Sequence, residues 1–443
     1  MRKAYREYIV YLITFVTLVP LFVLWWNSSG VLLTTAPTDF YLAFGRLTGL
    51  LAVYTSLIQF VLMSRTPWLE GVFGMDVLSR FHKKNGYATF LLILIHPLLI
   101  TISYAGFAHV SLVTQFVDFM KNYEDAAAAA FSVVLFVLVV GSSITIARKR
   151  LKYEAWYFVH LLTYLAIVFA FGHQLSLGGD FAGQPLAVAY WYALYAFAFG
   201  NLILFRNLFP LYNSWRRGYR VTKLVQETGD TLSIYISTNE SMPVQAQPGQ
   251  FVIVRFLAKG LWWQAHPFSL SSMPTKQGIR VTVKQLGDFT KQLTSLALGT
   301  RVLVEGPYGG FMPMEDPKSK YLFIAGGVGI TPVRSMIESL APTNDLVLLY
   351  GSRTSNDIIF KQELEAYVAS HHFPIYNVYS NEEPAEGKEV GRVDAEKIKR
   401  LVPDFLEREV YLCGPPPMMN GAEQALLSLG VKPEKIHAER FAF

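Results

Sequence analysis

Up to about residue 210 the apolar residues of this chain fall in long blocks; beyond it they alternate with polar ones and most of the acids appear. Six blocks reach the roughly 20 residues that a helix needs to cross a bilayer: Tyr8–Trp26, Phe40–Met63, His82–Tyr104, Ala127–Ala147, Tyr153–Phe171 and Leu186–Phe209. The first is too long, and lacks the small-residue cleavage site, for a simple signal peptide. Pro20 and Pro97 fall inside spans, where neighbouring helices can cover the freed carbonyls. From Gly218 the runs YRVTKLV, TLSIYIST, QFVIVRF, GIRVTVKQ and TRVLVEGP alternate, with turn residues such as PGQ (248–250) between them, which predicts a small antiparallel barrel. YLFIAGGVGITPVRSMIESL (321–340) then reads as strand, glycine turn and helix, followed by strands in DLVLLYGSR (345–353), VYLCGPPPMM (410–419) and the closing HAERFAF. The expected organisation is a six-helix membrane bundle over 1–210, an antiparallel β-barrel over 216–314 and an α/β Rossmann-like domain over 318–443.

Composition agrees with a membrane half and a soluble half: 52% of the 443 residues are hydrophobic and 16% charged, and mean hydropathy is positive. Charge sets the expected orientation. Arg2, Lys3 and Arg6 precede span 1; Arg65, Arg80, Lys83 and Lys84 separate spans 2 and 3; RKRLK (148–152) separates spans 4 and 5; Arg216, Arg217 and Arg220 follow span 6. The remaining three loops carry Lys121 alone. The amino terminus and the soluble half are therefore expected in the cytoplasm, with the spans in the plasma (inner) membrane. The net charge of +6 belongs largely to this belt and gives no reason to expect nucleic acid. A single cysteine excludes an intrachain disulfide and a cysteine metal cluster. DAAAAAF (125–131) reads as the start of helix 4.

Four of the nine histidines lie in or beside spans 3 and 5: His82 and His96, 14 residues apart, and His160 and His173, 13 apart. At about 1.5 Å per residue each pair is separated by roughly 20 Å along its helix. Two helices presenting histidines at matching depths could ligate two haems stacked across the bilayer, His82 with His160 and His96 with His173. Zinc does not suit them, because residues this far apart on one helix cannot share one small ion. Fourteen residues return an ideal helix to within about 40° of the same face, whereas thirteen leave it about 140° away. His173 is therefore expected on a loosened or bent turn, with Gly172 and LGGD (177–180) marking a helix end there, or else the two haems contact span 5 from different sides. Arg46, near the outer end of span 2, would pair naturally with a haem propionate.

In the soluble half, HPFSLSS (266–272), LGDFTKQL (286–293) and GPYGGF (306–311) carry the candidate flavin chemistry. A flavin requires a flat apolar face, a donor near N5 and a helix end or cation for its pyrophosphate. Phe268, Ser269 and Thr290 can supply these, Thr290 as the cap of a short helix. Gly326, Gly327 and Gly329 let backbone approach a diphosphate, with Thr331 capping the following helix and Pro332 in its first turn. DLVLLYGSR ends in Ser352 and Arg353 without an acid, which favours a ribose 2′-phosphate, hence NADPH, with NADH as the alternative.

The paired histidines, HPFS, GGVGITP, CGPPPMM and the aromatic carboxyl terminus, in this order along nearly the whole chain, resemble the NADPH oxidase and ferric reductase superfamily. YEAWYFVH (153–160) is similar to helix 5 of bacterial NADPH oxidase-like flavocytochromes. The resemblance implies a ferric-reductase-like haem domain in which His82, His96, His160 and His173 hold two b-type haems. It implies FAD on His266, Pro267, Phe268, Ser269 and Thr290, and a nicotinamide dinucleotide on Gly326, Gly327, Gly329, Thr331 and Pro332. Cys413 and Gly414 would lie beside the nicotinamide, and Phe441, or second Phe443, would stack on the flavin until nicotinamide displaces it. Ser269, Cys413 and Phe441 are thus the expected catalytic residues. Electrons would pass from cytoplasmic NADPH through FAD and both haems to an acceptor outside. With both irons six-coordinate, that acceptor is reduced at the outer haem's edge. Oxygen, giving superoxide, is expected, because the outer loops show no acidic or histidine cluster to concentrate a metal ion. The alternatives are ferric or cupric ions, or relay to an extracytoplasmic protein or quinone. Beyond membrane lipid and the small acceptor no obligate partner is evident, and calcium regulation is not expected, since no amino-terminal calcium-binding extension is present.

Overall fold

The computed structural model describes residues 2–144, 151, 153–238, 244–313, 316 and 318–440, and the chain divides into two compact units, 1–207 and 208–443. Most of the RKRLK run, together with Phe441 and Phe443, lies outside the described residues.

In the first unit six helices are long and apolar enough to span a membrane. They are α1 (Arg2–Ser29), α2 (Pro37–Leu62), α4 (Met75–Ala108), α6 (Ala126–Ser143), α7 (Tyr153–Ser176) and α8 (Pro185–Ile203). Two further helices were not expected from the pattern, α3 (Pro67–Phe73) and α5 (Leu112–Asn122). The unit is apolar outside: Leu98, Val168 and Leu186 are exposed, while Ser56, Ser103, Gln174 and Asn201 are buried. That distribution suits acyl chains rather than water, because in hydrocarbon polar groups must find partners inside the bundle. Helix α5 repeats it, with Val113, Phe116 and Val117 outward and Gln115 buried. Within the bundle α2 lies along α4 and α6 along α7.

The second unit opens with α9 (Phe209–Arg217) and a barrel of two antiparallel three-stranded sheets. One sheet orders β1 (Arg220–Thr228), β2 (Thr231–Ser237) and β5 (Gly278–Lys284); the other orders β4 (His266–Ser269), β3 (Phe251–Phe256) and β6 (Val302–Tyr308). Bridges Arg220 to Arg301 and Leu270 to Val281 join the sheets. Alternation puts Val221, Ile234, Ile236, Val252, Val254, Val281 and Val304 into one core.

The nucleotide domain is a six-stranded parallel sheet ordered β10-β9-β8-β7-β11-β12. Strand β7 (Lys320–Gly326) is central, flanked by β8 (Asp345–Ser352) and β11 (Glu409–Cys413). Beyond them lie β9 (Ile375–Tyr379) with β10 (Glu389–Val390) on one side, and β12 (Ile436–Glu439) on the other. Leu322, Phe323, Ile324, Leu348, Leu349, Tyr411 and Leu412 are fully buried, as expected for strands covered on both faces. The chain leaves β7 toward β8 and returns on the other side at β11. The crevice beyond the carboxyl ends of β7 and β11 is therefore a topological switch point, the usual ligand position in open α/β sheets.

Candidate functional site

The four membrane histidines meet in the pairs that depth predicts. Ring centres are 6.1 Å apart for His82 and His160 and 6.3 Å for His96 and His173. Two imidazoles sharing one metal with bonds of about 2.0 Å each put their ring centres about 6 Å apart, so either gap accepts one iron between its rings. His96 Nδ1 lies 2.7 Å from the Gly45 carbonyl. As a donor there it leaves Nε2 bare, the tautomer that a metal requires. His160 Nδ1 is 3.4 Å from Ser143 Oγ, while His82 Nδ1 and His173 Nδ1 are buried without a hydrogen-bond partner among the described residues. The donor set and its spacing fit haem.

One expectation about this region changes. His173 is not on a loosened turn: α7 continues through Ser176, and Leu177 N still bonds the His173 carbonyl at 3.0 Å. The two sites therefore draw on different sides of a continuous helix. Arg46 has a carboxylate within the protein, Asp180, 3.7 Å from Nη1, with Ser29 Oγ 3.3 Å away. Asp180 is buried and also accepts from Ser28 and Ser29. Asp180 is a partner of Arg46 that the sequence did not reveal.

In the barrel, β4 carries His266, Pro267, Phe268 and Ser269, and the short helix α10 (Asp288–Gln292) comes up against it. Phe289 stacks on His266 at 3.8 Å between centres and lies nearly parallel to Phe268 at 6.5 Å. HPFS and GDFT are thus one surface, and Phe289 is a member that sequence reading missed. Thr290 caps α10 from its third position, Gly287 being the N-cap residue. It sits inside the first turn, where its hydroxyl accepts from the amides of Leu286 and Gly287 at 3.0 Å each. Ser269 is buried, paired in register with Phe251.

At the switch point Gly326 ends β7, and Gly327–Gly329 forms the turn into α11 (Ile330–Leu340). A Cβ on Gly329 would lie 2.3 Å from the Cys413 carbonyl oxygen, so that position admits only glycine. This approach brings GGVG and CGPP into one crevice. Thr331 lies inside the helix rather than at its cap: Gly329 is the N-cap, and Thr331 Oγ1 donates to the Val328 carbonyl at 2.9 Å. Pro332 occupies the first turn as expected. Cys413 is fully buried at the end of β11, and burial holds its thiol well above the ordinary thiol range. Residue 413 borders the crevice through its backbone, its carbonyl oxygen facing Gly329.

The tip of β8 also differs from expectation. Ser352 Oγ donates to the Thr354 carbonyl at 3.0 Å. Arg353 Nη2 contacts Asp357 at 2.8 Å and Asp230 at 3.1 Å. Acids absent from the strand end are supplied four residues on and by the barrel. Arg353 is half-exposed, so a phosphate contact there exchanges one set of solvated partners for another, worth up to about 1 kcal/mol. Arg353→Ala should consequently lower any preference for NADPH over NADH by about fivefold or less in steady-state KM ratios. A hundredfold collapse would mean that Arg353 abandons both aspartates for the 2′-phosphate.

The barrel and nucleotide domain are tied by a charged cluster. Arg280 on β5 makes a two-point contact with Glu363 (2.6 and 3.1 Å), and Arg334 on α11 reaches the same carboxylate at 2.8 Å. Arg334 also pairs with Glu338, whose carboxylate accepts from Met273 N at 2.8 Å. Burial would raise the Glu363 carboxyl, but Arg280 and then Arg334 outweigh it and hold it below the ordinary range. A depressed carboxylate stabilises the fold above its unfolded pKa and ceases to as pH falls through the folded value. Glu363→Gln should cost about 1.5–3 kcal/mol at neutral pH, read as a lower temperature for release of flavin fluorescence, and the gap from wild type should narrow on acidification below pH ~4.5.

Residues 48–171 match the ferric reductase like transmembrane component, 216–311 an FAD-binding domain and 323–424 the oxidoreductase NAD-binding domain. Together these form the architecture of the NADPH oxidase and ferric reductase superfamily. The first match contains His82, His96 and His160 and stops two residues short of His173. The soluble unit thus carries an FAD-binding domain and an oxidoreductase NAD-binding domain, and the six apolar helices with the transmembrane match make the chain a membrane protein. Among curated relatives, an NADPH oxidoreductase of Mycobacterium tuberculosis is 32% identical over 244 residues, covering 53% of this chain and 62% of that one. The glycine betaine monooxygenase reductase subunit of Chromohalobacter salexigens is 32% identical over 240 residues, 51% of this chain and 64% of its own. The chain thus spans less than two thirds of either relative. A solved FAD/NAD-binding domain of a Vibrio cholerae nitric oxide dioxygenase covers 51% of this chain and 98% of its own, at 24% identity and a TM-score of 0.47.

Proposed function

We propose that the chain carries electrons across a membrane, from a nicotinamide nucleotide through FAD and two b-type haems to oxygen, which leaves as superoxide. The observation that carries the reading is the two facing histidine pairs, 6.1 and 6.3 Å between ring centres, at two depths of α4 and α7. Flavin accepts a hydride and yields electrons singly, and haem passes single electrons. His82 and His160 hold the inner haem; His96 and His173 hold the outer. Two imidazoles to each iron would keep the acceptor off the metal, so that it would be reduced at the outer edge. Phe268, His266 and Phe289 supply flat faces for the flavin ring, and Ser269 a donor beside it. The Gly326–Gly329 turn brings backbone amides to the dinucleotide's phosphates, Thr331 and Pro332 start the helix behind them, and Gly414 borders the nicotinamide. The basic belt supports a cytoplasmic amino terminus and soluble unit, with the bundle in the plasma (inner) membrane as the expected site.

The match to a ferric reductase like component favours ferric ion as the second reading. Sealed proteoliposomes decide between them. With NADPH on the side of the soluble unit, the oxygen reading expects reduction of a trapped reporter that superoxide dismutase on that far side abolishes. Reduction of a ferric chelate that is indifferent to dismutase, with no superoxide detected, would contradict it.

A further inference from the structure

Asp125, at the head of DAAAAAF, holds the N-cap position of α6, but its side chain does not cap it: its backbone is left-handed (φ +60°), and its carboxylate takes no hydrogen bond from that helix. It turns instead to α7. Ser176 Oγ donates to Asp125 Oδ2 at 3.1 Å, and a Cβ on residue 172 would lie 2.6 Å from the same oxygen, so Gly172 is what admits the carboxylate. The acid is thereby held against the turn that carries His173. His173 Nδ1 is a buried ring nitrogen that makes no well-formed hydrogen bond among the described residues, with the Ala170 carbonyl one turn back beside it, whereas His96 across the gap has the Gly45 carbonyl at 2.7 Å. Metal-bound imidazoles ordinarily give their second N–H to a carboxylate or carbonyl, which fixes the ring and strengthens it as a ligand.

We infer that Asp125 is the positioning residue of the outer site: it supplies the negative charge that orients His173, favours the oxidised outer haem and makes that haem the stronger reductant. This rests on the proposed haem assignment. Asp125→Asn keeps an oxygen for Ser176 and nearly the same volume while removing the charge. In potentiometric titrations of full-length, haem-loaded protein, one midpoint should move to more positive potential, the one missing from His173→Ala. The other should stay, the low-spin EPR signal of the shifted haem should change, and Asp125→Glu should restore both readouts. Unchanged midpoints and EPR in Asp125→Asn would leave Asp125 a purely structural link between α6 and α7 and overturn the inference. Should that variant lose haem, Ser176→Ala, which frees the carboxylate without neutralising it, should give a smaller positive shift, and no shift there overturns it equally. A colourless wild type would remove the haem assignment itself, a different failure from a coloured protein with an unmoved midpoint.

Discussion

His96→Ala should lose the outer haem and bring transmembrane electron output to background, while NAD(P)H reduction of a dye at the flavin continues. His96 is held by two constraints, its own helix and the Gly45 carbonyl 2.7 Å from Nδ1. Together they aim the opposite nitrogen across the gap to His173. Without it His173 is a lone imidazole, and the described residues around the site include no group of three His, Cys, Asp or Glu that could take a metal instead. His82 and His160 belong to a separate pair with its own 6.1 Å gap, so the inner haem should remain. The checks are pyridine haemochromogen content, expected to halve, and superoxide output against dye reduction in the same preparation. Output near wild type with half the haem would show that electrons leave without the outer site.

Gly329→Ala should disable the other end of the path. The added carbon meets the Cys413 carbonyl oxygen at 2.3 Å, backbone against backbone, with no flexible side chain to yield. Either β11 or the glycine turn must move, at a cost of about 1–3 kcal/mol, and both border the crevice. If that strain falls on nucleotide binding, KM for NAD(P)H rises roughly ten- to a hundredfold, since 1.4 kcal/mol is a factor of ten. Haem content and photochemical reduction of the flavin should be unaffected, which separates this variant from His96→Ala. An unaltered KM would show that Gly329 can be spared and that the two glycine motifs do not form one crevice.

What the sequence made legible was whatever depends on periodicity or on order along the chain. Blocks of apolar residues located six spans to within a few residues, although α4 begins at Met75 rather than near His82, where Asp76, Ser79 and Arg80 interrupt the apolar block. Depth along two helices paired the four histidines correctly, since axial rise is nearly independent of local detail. GGVG and CGPP could each be placed at a strand end, but only the strand order shows that they meet at the switch point. Contacts between side chains remote in sequence were not legible. Phe289 on His266, Asp180 with Arg46, Asp230 on Arg353 and Asp125 on α7 all depend on how elements pack. Local signals also misled. Gly172 suggested a helix end, but in α7 it makes room for a carboxylate. Thr331 read as a cap, yet it lies in the first turn of a helix that Gly329 opens.

The central claim is that two imidazole pairs hold two haems, and the most direct test is the haem content and spin state of the purified wild-type chain reconstituted with ample haem. The account predicts two haems per chain, both low-spin, with the magnetic circular dichroism of bis-imidazole iron. One haem or none, or high-spin iron with an open coordination position, would contradict it.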